Sequence, residues 1–288
     1  MRVFSSRACL AHPGFPEQPA RLVAVLDTLR RDGRAAIHES EPAATELLEL
    51  VHPAQWIETI RQRAALGEPA GEETPLSPGS WPAILAAAGA VLAATDAALE
   101  GTPSFAAVRP PGHHASAIRA MGFCPVNLVA IAVARARSRG AERALIIDWD
   151  VHHGNGTQDI VAAEPRTRFV SMHQENWYPG TGAASDTGVG NCFNLPMPPG
   201  LPRREYVESL WSGIERASRD WQPDAIFISA GYDGMAGDPL GGFTLEPDDY
   251  RTWMDRLRDR WPETPLLATM EGGYEPRRLA AGVLATVT

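Results

Sequence analysis

Short apolar runs alternate along this chain with longer segments whose apolar residues recur at helical spacing. The short runs predict six strands, at residues 2–4, 104–108, 143–147, 168–172, 225–229 and 266–269. The longer segments predict seven helices, at residues 19–31, 53–66, 80–101, 127–139, 203–219, 248–260 and 276–284, with Ser80 as the N-cap of the third. This alternation predicts βαβ units and a mostly parallel central sheet with helices on both faces.

The pattern is continuous from one end of the chain to the other. No internal repeat and no long linker interrupts it, so residues 1–288 are expected to form one domain. A chain of this length can bury a sizeable core in one α/β domain. The longest apolar stretch, residues 83–94, is too short to cross a bilayer and predicts a buried, alanine-rich helix.

A polar cluster follows each of the last five predicted strands directly. The clusters occupy residues 109–114, 148–153, 173–174, 231–233 and 271–274. In an open parallel sheet, the ligand crevice lies outside the carboxyl ends of the strands. The sequence therefore predicts that this edge of the sheet carries the active site.

The second of these clusters belongs to the most informative stretch of the chain, DWDVHHGNGT at residues 148–157. Side chains alternate along a strand, so Asp148, Asp150 and His152 are expected on one side of the chain. Two carboxylates and an imidazole suit a divalent cation. A polar loop that only caps backbone groups is the alternative, and the length of the run favours the metal site.

Composition narrows the range of functions. A net charge of −9 argues against a nucleic-acid-binding surface and favours cationic substrates. All 26 basic residues are arginine, which excludes a Schiff-base lysine, a P-loop lysine and a Ser–Lys dyad. The three cysteines lack CxxC spacing and the N-terminal residues lack a signal-peptide pattern, so reduced thiols and a cytoplasmic location are expected.

Together the clusters resemble the histone deacetylase family, including its bacterial acetylpolyamine amidohydrolase and acetoin-utilisation relatives. Seven motifs carry the resemblance in order: HPGFPEQPAR (12–21), RPPGHHA (109–115), DWDVHHGNGT (148–157), YPGTG (178–182), SAGYD (229–233), DPLG (238–241) and EGGY (271–274). The resemblance covers nearly the whole chain. It implies the arginase–deacetylase α/β fold, a single three-layer domain, and metal-dependent hydrolysis of an N-acyl amide such as acetyl-lysine or an acetylated small molecule.

The resemblance also implies two kinds of metal site. It makes Asp150, His152 and Asp233 the zinc ligands, and three protein ligands leave open positions for water and substrate. Such an oxygen-rich site could also accept Fe²⁺ or Co²⁺. A structural potassium ion is implied as well, held by oxygen atoms of Asp148, Asp150, His152, Ser171 and Met172.

The tandem histidines His113 and His114 are implied to be the acid–base pair. We expect His114 to be the main acid–base residue and His113 its electrostatic partner. Asp148 corresponds to the carboxylate that orients His113. Asn155 lies in the position behind His114, where some members have Asp, and a neutral amide raises the pKa of the imidazole less than a carboxylate would.

The remaining implied site residues would surround the acyl group. The resemblance makes the Tyr274 hydroxyl a hydrogen-bond donor to the carbonyl oxygen as negative charge develops. It makes Phe123 and Tyr178 the two walls of the acyl tunnel, with Gly122 providing room, although the family more often has Phe at the second wall. Leu240 lies in the rim position where a polyamine-specific branch has Glu.

Two loop carboxylates and one thiol complete the candidates. Glu72 and Glu73, in the predicted loop at residues 67–79, could receive a distant ammonium group in place of the missing rim carboxylate. Ordinary solvated carboxylates are the alternative for both. Cys124, beside the implied tunnel wall, is expected to be a small buried hydrophobe rather than a nucleophile.

Three functions follow from these residues. The first is a zinc-dependent amidohydrolase, expected to be a stand-alone bacterial-type enzyme that acts on a small molecule or peptide and on neither nucleic acid nor membrane. The second is a ureohydrolase of the arginase type with two manganese ions, which needs bridging aspartates where this chain has Gly231 and Tyr232. The third is a non-catalytic acyl-amine-binding protein, which would not need an acid–base pair. The exact substrate and the oligomeric state are left open.

Overall fold

Eight parallel strands form one sheet in the computed structural model, which describes residues 1–288. The strand order is β2-β1-β3-β8-β7-β4-β5-β6, and every neighbouring pair is parallel. The strands are β1 (Arg2–Ser5), β2 (Ile37–Glu39), β3 (Ser104–Ala106), β4 (Ala144–Asp148), β5 (Thr167–Gln174), β6 (Cys192–Met197), β7 (Ala225–Ala230) and β8 (Leu266–Met270). The predicted parallel sheet is confirmed, and the observed sheet is parallel throughout.

Eight α-helices cover the sheet. They are α1 (Pro19–Asp32), α2 (Ala54–Leu66), α3 (Ser80–Leu99), α4 (Leu128–Ser138), α5 (Asn155–Val161), α6 (Arg203–Ala217), α7 (Pro247–Arg260) and α8 (Pro276–Val287), with short 3₁₀ helices at Arg7–Ala11 and Thr45–Leu50. Helices α3 and α4 pack together and against β1, β3, β7 and β8, while α1 packs on α8 and α7 packs between α8 and α6. The result is a three-layer α/β fold.

The central strands could be predicted from the sequence because both faces of the sheet are covered there. Every residue of β4, β7 and β8 is buried, as a parallel sheet covered on both faces requires. Their sequences are therefore continuous apolar runs rather than alternating ones. All six predicted strands and all seven predicted helices are present, with ends that differ by a few residues.

The elements that the pattern missed are short or irregular. Strand β2 has three residues and two of them are exposed, so it has no apolar run. Strand β6 contains Asn194 and Pro196, which weaken a strand pattern. Helix α5 has seven residues and begins inside the DWDVHHGNGT stretch, where the polar motif hides the helical spacing.

The prediction of Ser80 as an N-cap is wrong. The cap position is Gly79, and Ser80 is the first residue of α3. The Ser80 hydroxyl accepts a hydrogen bond from the amide of Ser77 and pairs with Nδ1 of His12, both at 2.8–2.9 Å. It is committed to the preceding turn and to the N-terminal segment, so it does not accept from an amide of its own helix.

Helix α3 is the alanine-rich helix expected from residues 83–94. With 20 residues it is long and apolar enough to cross a membrane, judged by length and composition alone. However, 72% of its apolar window is buried inside the protein, against the sheet and α4. It is a core helix of the domain, as predicted.

Candidate active site

Three donor side chains meet at the carboxyl ends of the adjacent strands β4 and β7. One ligand atom each from Asp150, His152 and Asp233 lies within 4.8 Å of the other two, and all three residues are buried. Nδ1 of His152 is 3.0 Å from Oδ1 of Asp150 and 3.2 Å from Oδ2 of Asp233. That Asp233 oxygen makes no hydrogen bond although it is fully buried. A buried carboxylate oxygen normally accepts a hydrogen bond, so one that has no hydrogen-bond donor is suited to bind a metal ion.

The backbone fixes the direction of both carboxylates. The amides of Val151 and Gly272 donate to Oδ1 of Asp233 and Oδ2 of Asp150, at 2.9 and 2.8 Å. A Cβ at Gly272 would collide with these same two carboxylates, so only glycine allows the β8 loop to come this close. The ligand set is therefore positioned by three loops at one edge of the sheet.

The electrostatics of this cluster favour a bound positive charge. Burial by itself would lower the pKa of His152, but its hydrogen bond to Asp150 and the neighbouring carboxylate of Asp233 outweigh burial and raise that pKa to about 10. Burial likewise opposes ionisation of Asp150, yet His113 and His152 hold its pKa far below the usual range. The two carboxylates thus stabilise the protonated, positively charged form of His152, and a divalent cation would supply positive charge at the same place.

Asp148 does not join this cluster. Strand β4 ends at Asp148, and its Oδ2 lies 3.0 Å from Nδ1 of His113 while its Oδ1 accepts from the amide of Asp150 at 3.1 Å. Asp148 therefore connects the ligand loop to the first of the tandem histidines.

The tandem histidines lie side by side with separate partners. Their ring centroids are 4.0 Å apart, and Nδ1 of His114 lies 2.7 Å from Oδ1 of Asn155. An amide oxygen can only accept, so the neutral His114 ring carries its proton on Nδ1 and leaves Nε2 free to accept another. This is the tautomer that a general base needs.

The two histidines titrate in opposite directions. Burial would lower the pKa of His113, but the charges of Asp150 and Asp148 outweigh it and raise the pKa to about 10. Burial lowers the pKa of His114 well below its usual value, and the positive charges of His113 and His152 lower it further. In this arrangement His113 is charged and His114 is neutral.

A cavity of about 270 Å³ opens beside these groups. Its lining includes the metal-ligand candidate His152, the tandem histidine His114 and the predicted donor Tyr274. The walls and rim consist of Pro16, Glu73, Gly122, Phe123, Trp177, Tyr178 and Leu240. The structure thus brings the predicted wall, room and rim residues into one cavity. The volume suits a small acyl group and a short stem of the amine.

The walls are built from close aromatic contacts. The rings of Phe123 and Tyr274 are 5.9 Å apart, and the ring of Tyr178 meets that of His114 edge-on at 5.3 Å. Gly122 has a φ of +53°, and a Cβ there would lie 2.5 Å from Cδ2 of His114. Glycine at this position therefore keeps the imidazole and the wall together.

Two lining residues were missed by sequence reasoning. Pro16 lies within the HPGFPEQPAR motif, and Trp177 directly precedes YPGTG, so neighbouring motifs were the only signal for either. Trp177 is 45% exposed, and its indole N–H donates to the carbonyl of Leu240 at 2.9 Å. Of the two loop carboxylates, Glu73 lines the cavity while Glu72 lies 3.5 Å from Arg119.

Ser171 and Met172 lie on β5, where Ser171 is the register partner of Asp148. Both are buried. Nε2 of His173 faces the carbonyl of Gly182 at 3.0 Å and must carry a proton, so Nδ1 accepts the hydroxyl proton of Ser171. The lone pairs of the Ser171 oxygen remain free to contact a cation.

Cys124 is buried, and burial raises the pKa of its thiol well above the usual value. A thiol that stays protonated is a poor nucleophile. The structure supports the expectation that Cys124 is a packing residue.

The sequence also matches a known protein family. A family model of the histone deacetylase domain matches residues 15–288. This chain belongs to the histone deacetylase family. The match covers the ligand set, both tandem histidines and Tyr274 in one domain.

Individual relatives agree with the family assignment. The chain is 36% identical to a histone deacetylase-like amidohydrolase of Pseudomonas aeruginosa, over 93% of this chain and 73% of the relative. It is 34% identical to a probable deacetylase of Archaeoglobus fulgidus, over 91% and 77% of the two chains. Deacetylases and amidohydrolases are hydrolases, and the chain belongs among them.

The fold assignment rests on a solved structure as well. The crystal structure of the HDA15 HD domain matches with a TM-score of 0.95 and 32% sequence identity, and the match covers 100% of this chain and 90% of the other. The arginase–deacetylase fold implied by the sequence motifs is therefore confirmed.

Proposed function

We propose that this protein is a zinc-dependent amidohydrolase that removes an acetyl or other small acyl group from an amine. The observation that carries the proposal is the meeting of His152, His114 and Tyr274 in one cavity of about 270 Å³. A metal ligand, a neutral base and a hydroxyl donor are the three groups that amide hydrolysis needs around the acyl carbon. The deacetylase and amidohydrolase names of the relatives support it.

Asp150, His152 and Asp233 would hold the metal. Two carboxylates neutralise a dication, and one imidazole with two carboxylates is a donor set for zinc that Fe²⁺ or Co²⁺ could share. When bound, the metal would polarise the acyl carbonyl and lower the pKa of water.

His114 would move the proton. Its Nε2 would accept a proton from the attacking water and deliver it to the departing amine. Asn155 holds the other ring nitrogen at 2.7 Å and keeps the ring in the required tautomer. His113, paired with Asp148, would place a positive charge beside the developing oxyanion.

Tyr274 would donate to the carbonyl oxygen as it gains charge. Burial raises the pKa of its hydroxyl well above the usual value, so the hydroxyl keeps its proton. The Arg21 guanidinium lies 4.9 Å from the centre of the Tyr274 ring and holds it by a cation–π contact.

The mouth of the cavity favours a cationic amine. Glu73 lines the cavity and makes no ion pair, whereas Glu72 is near Arg119. Leu240 offers no charge on the rim. We therefore infer that the substrate is an acylated amine with a second ammonium or similar cation near the mouth, which agrees with the net charge of −9.

We also propose a potassium ion at the oxygens of Ser171 and Met172 and of the β4 loop, Asp148, Asp150 and His152.

We propose that the protein acts in the cytoplasm, on a small molecule or peptide and on neither nucleic acid nor membrane. The three buried, unpaired cysteines support a reducing compartment.

The arginase-type alternative gains no support from Gly231 and Tyr232. A Cβ at Gly231 would collide with Asp150, and the Tyr232 hydroxyl points away to Thr286, at 2.9 Å from its Oγ1. Neither position supplies a bridging ligand for a second metal ion.

The proposal is tested by metal content and by hydrolysis of a fluorogenic acetyl-lysine amide and a panel of acylated diamines. Native protein is compared with Asp233→Ala and Tyr274→Phe. About one equivalent of zinc, with hydrolysis lost in both variants, is the expected result. Metal without turnover of any acylated amine would contradict the proposed reaction, two manganese ions per chain would favour a ureohydrolase, and no metal would leave only a binding protein.

A further inference from the structure

One buried carboxylate joins the loop that carries Tyr274 to the rim of the cavity. Asp238 is only 8% exposed and follows β7 in the DPLG segment. Its Oδ2 accepts hydrogen bonds from the amides of Tyr274 and Glu275, at 2.6 and 3.4 Å. Its Oδ1 accepts from the amide of Leu240 at 2.9 Å. The two ends of one carboxyl group therefore bind two loops that line the same cavity.

The amide of Tyr274 has one acceptor, the carboxylate of Asp238. The two preceding glycines are held by other groups, because the Gly272 amide donates to Oδ2 of Asp150 at 2.8 Å and the Gly273 carbonyl accepts from Nε of Arg21 at 2.6 Å. Helix α8 begins only at Pro276. Asp238 supplies the acceptor for the Tyr274 amide at the point where the chain passes from these glycines to the helix.

The rim side is held in the same way. The Leu240 amide donates to Asp238, and the Leu240 carbonyl accepts from the indole of Trp177. Next along the chain, a Cβ at Gly241 would collide with the carbonyl of the metal-ligand candidate Asp233. The DPLG segment therefore lies directly against the backbone of Asp233. Asp238, in the same segment, binds the Tyr274 amide and so links the position of Tyr274 to that of Asp233.

We infer that Asp238 is a positioning residue that sets the hydroxyl of Tyr274 and the rim side chain of Leu240 relative to the metal-ligand loop. It would act through these two residues and not by touching the substrate. The inference rests on the proposed role of Tyr274 in catalysis.

The first test measures the position of Tyr274 without turnover. The protein as purified is labelled with 3-fluorotyrosine at its five tyrosines, and the Tyr274 resonance is assigned by its absence in Tyr274→Phe. In Asp238→Ala, the ¹⁹F resonance of Tyr274 is expected to shift or broaden while those of Tyr206, Tyr232 and Tyr250 stay in place. An unchanged Tyr274 resonance, or equal changes in all five, would overturn the inference.

A matched control separates positioning from loss of a buried carboxylate. Asp249 is 7% exposed and accepts from the amide of Glu246 at 2.8 Å, away from the cavity. Asp249→Ala is expected to leave the Tyr274 resonance unchanged. A change of the same size in this variant would show a general structural effect and contradict the inference.

The second test is a double-mutant cycle on the hydrolysis rate. Asp238→Ala is expected to lower kcat about tenfold or more in the native background, because a misplaced donor loses part of the roughly 10²-fold that such a donor contributes. In the Tyr274→Phe background the same change is expected to lower kcat less than about threefold, because the two residues act as one unit. Equal factors in both backgrounds would overturn the inference.

Asp238→Asn gives a rescue. Asparagine presents one acceptor oxygen, which can serve the two amides of Tyr274 and Glu275 while the Leu240 amide loses its partner. We expect kcat to recover most of the loss seen in Asp238→Ala, whereas KM should rise in both variants because the Leu240 amide has lost its acceptor in each. If the native protein hydrolyses no acylated amine, the proposed function fails, whereas the ¹⁹F experiment still decides the role of Asp238.

Discussion

The floor and the mouth of the cavity are built on opposite principles. At the floor, Asp150 and Asp233 are fully buried, and backbone amides hold a carboxylate oxygen of each. At the mouth, Trp177 is 45% exposed and Glu73 is exposed without a partner. A misplaced charge is costly in the buried floor and nearly free in water. If the proposed function holds, the floor would determine the chemistry and the mouth would determine which amine is accepted.

The largest effect is expected from breaking the floor. Asp233→Ala removes one carboxylate of the ligand set and should lower hydrolysis by roughly 10³-fold or more, with loss of the metal. Zinc content after dialysis and the rate on an acetyl-lysine amide measure both effects. Glu73→Gln, at the mouth, should keep its zinc. Retention of a full equivalent of metal by Asp233→Ala would contradict the ligand assignment.

The next largest effect is expected from the hydroxyl above the floor. Tyr274→Phe should lower kcat by about 10²- to 10³-fold with little change in KM, because its donor acts on charge that develops in the transition state. Steady-state kinetics of the zinc-loaded variant provide the measurement. A variant that raises KM and leaves kcat intact would assign Tyr274 to substrate binding instead.

The next prediction concerns the pH dependence of stability, which should depend on His52, a histidine buried outside the cavity. Burial lowers the pKa of His52 to about 4, below the value of about 6.5 in an unfolded chain. The unfolded state therefore binds the proton more readily, and stability is lost as the pH falls from about 6.5 towards 4.

His52 accepts from the amide of Asn127 at 2.9 Å, and glutamine at this position has an oxygen that can do the same. His52 should contribute a loss of about 2 kcal/mol between pH 6.5 and pH 5. His52→Gln should remove that part of the pH dependence, as measured by urea unfolding at the two pH values. An identical pH dependence in the variant would contradict the argument.

The smallest effect is expected at the mouth. Glu73→Gln should raise KM about three- to tenfold for an acylated diamine, because a partly solvated ion pair contributes about 1 kcal/mol. KM for an uncharged acylated amine should not change. Glu72→Gln is the matched control, since Glu72 is next in sequence but does not line the cavity. Equal effects of the two variants, or an effect on the neutral substrate, would contradict a role for Glu73 in charge recognition.

Most of the fold followed from local patterns. Strands β4, β7 and β8 are buried on both faces and read as apolar runs, so their positions and parallel pairing were predictable. The pattern failed where the local signal was weak, as in the three-residue β2 and in β6 with its Pro196. Ser80 failed for another reason, since its hydroxyl binds His12, which lies 68 residues away in sequence.

The candidate site divides along the same line. The candidates for a base and an oxyanion donor came from motifs that resemble the family, and the metal-ligand candidates also from the chemistry of carboxylate and imidazole donors. Trp177 and Pro16 carried no chemical signature, and only the fold brings them to the cavity. The fold likewise distinguishes Glu73 from Glu72, because only Glu73 lines the cavity.

By itself, the sequence determined the layers of the fold, the sheet edge that carries the candidate site and the candidate donors gathered there. Apolar periodicity and the chemistry of individual side chains are local properties and can be read along the chain. The tertiary structure decided the opposite pKa shifts of His113 and His114, the free oxygen of Asp233 and the contact from Asp238 to Tyr274. These depend on groups far apart in sequence, because burial and electrostatic fields are properties of the folded neighbourhood.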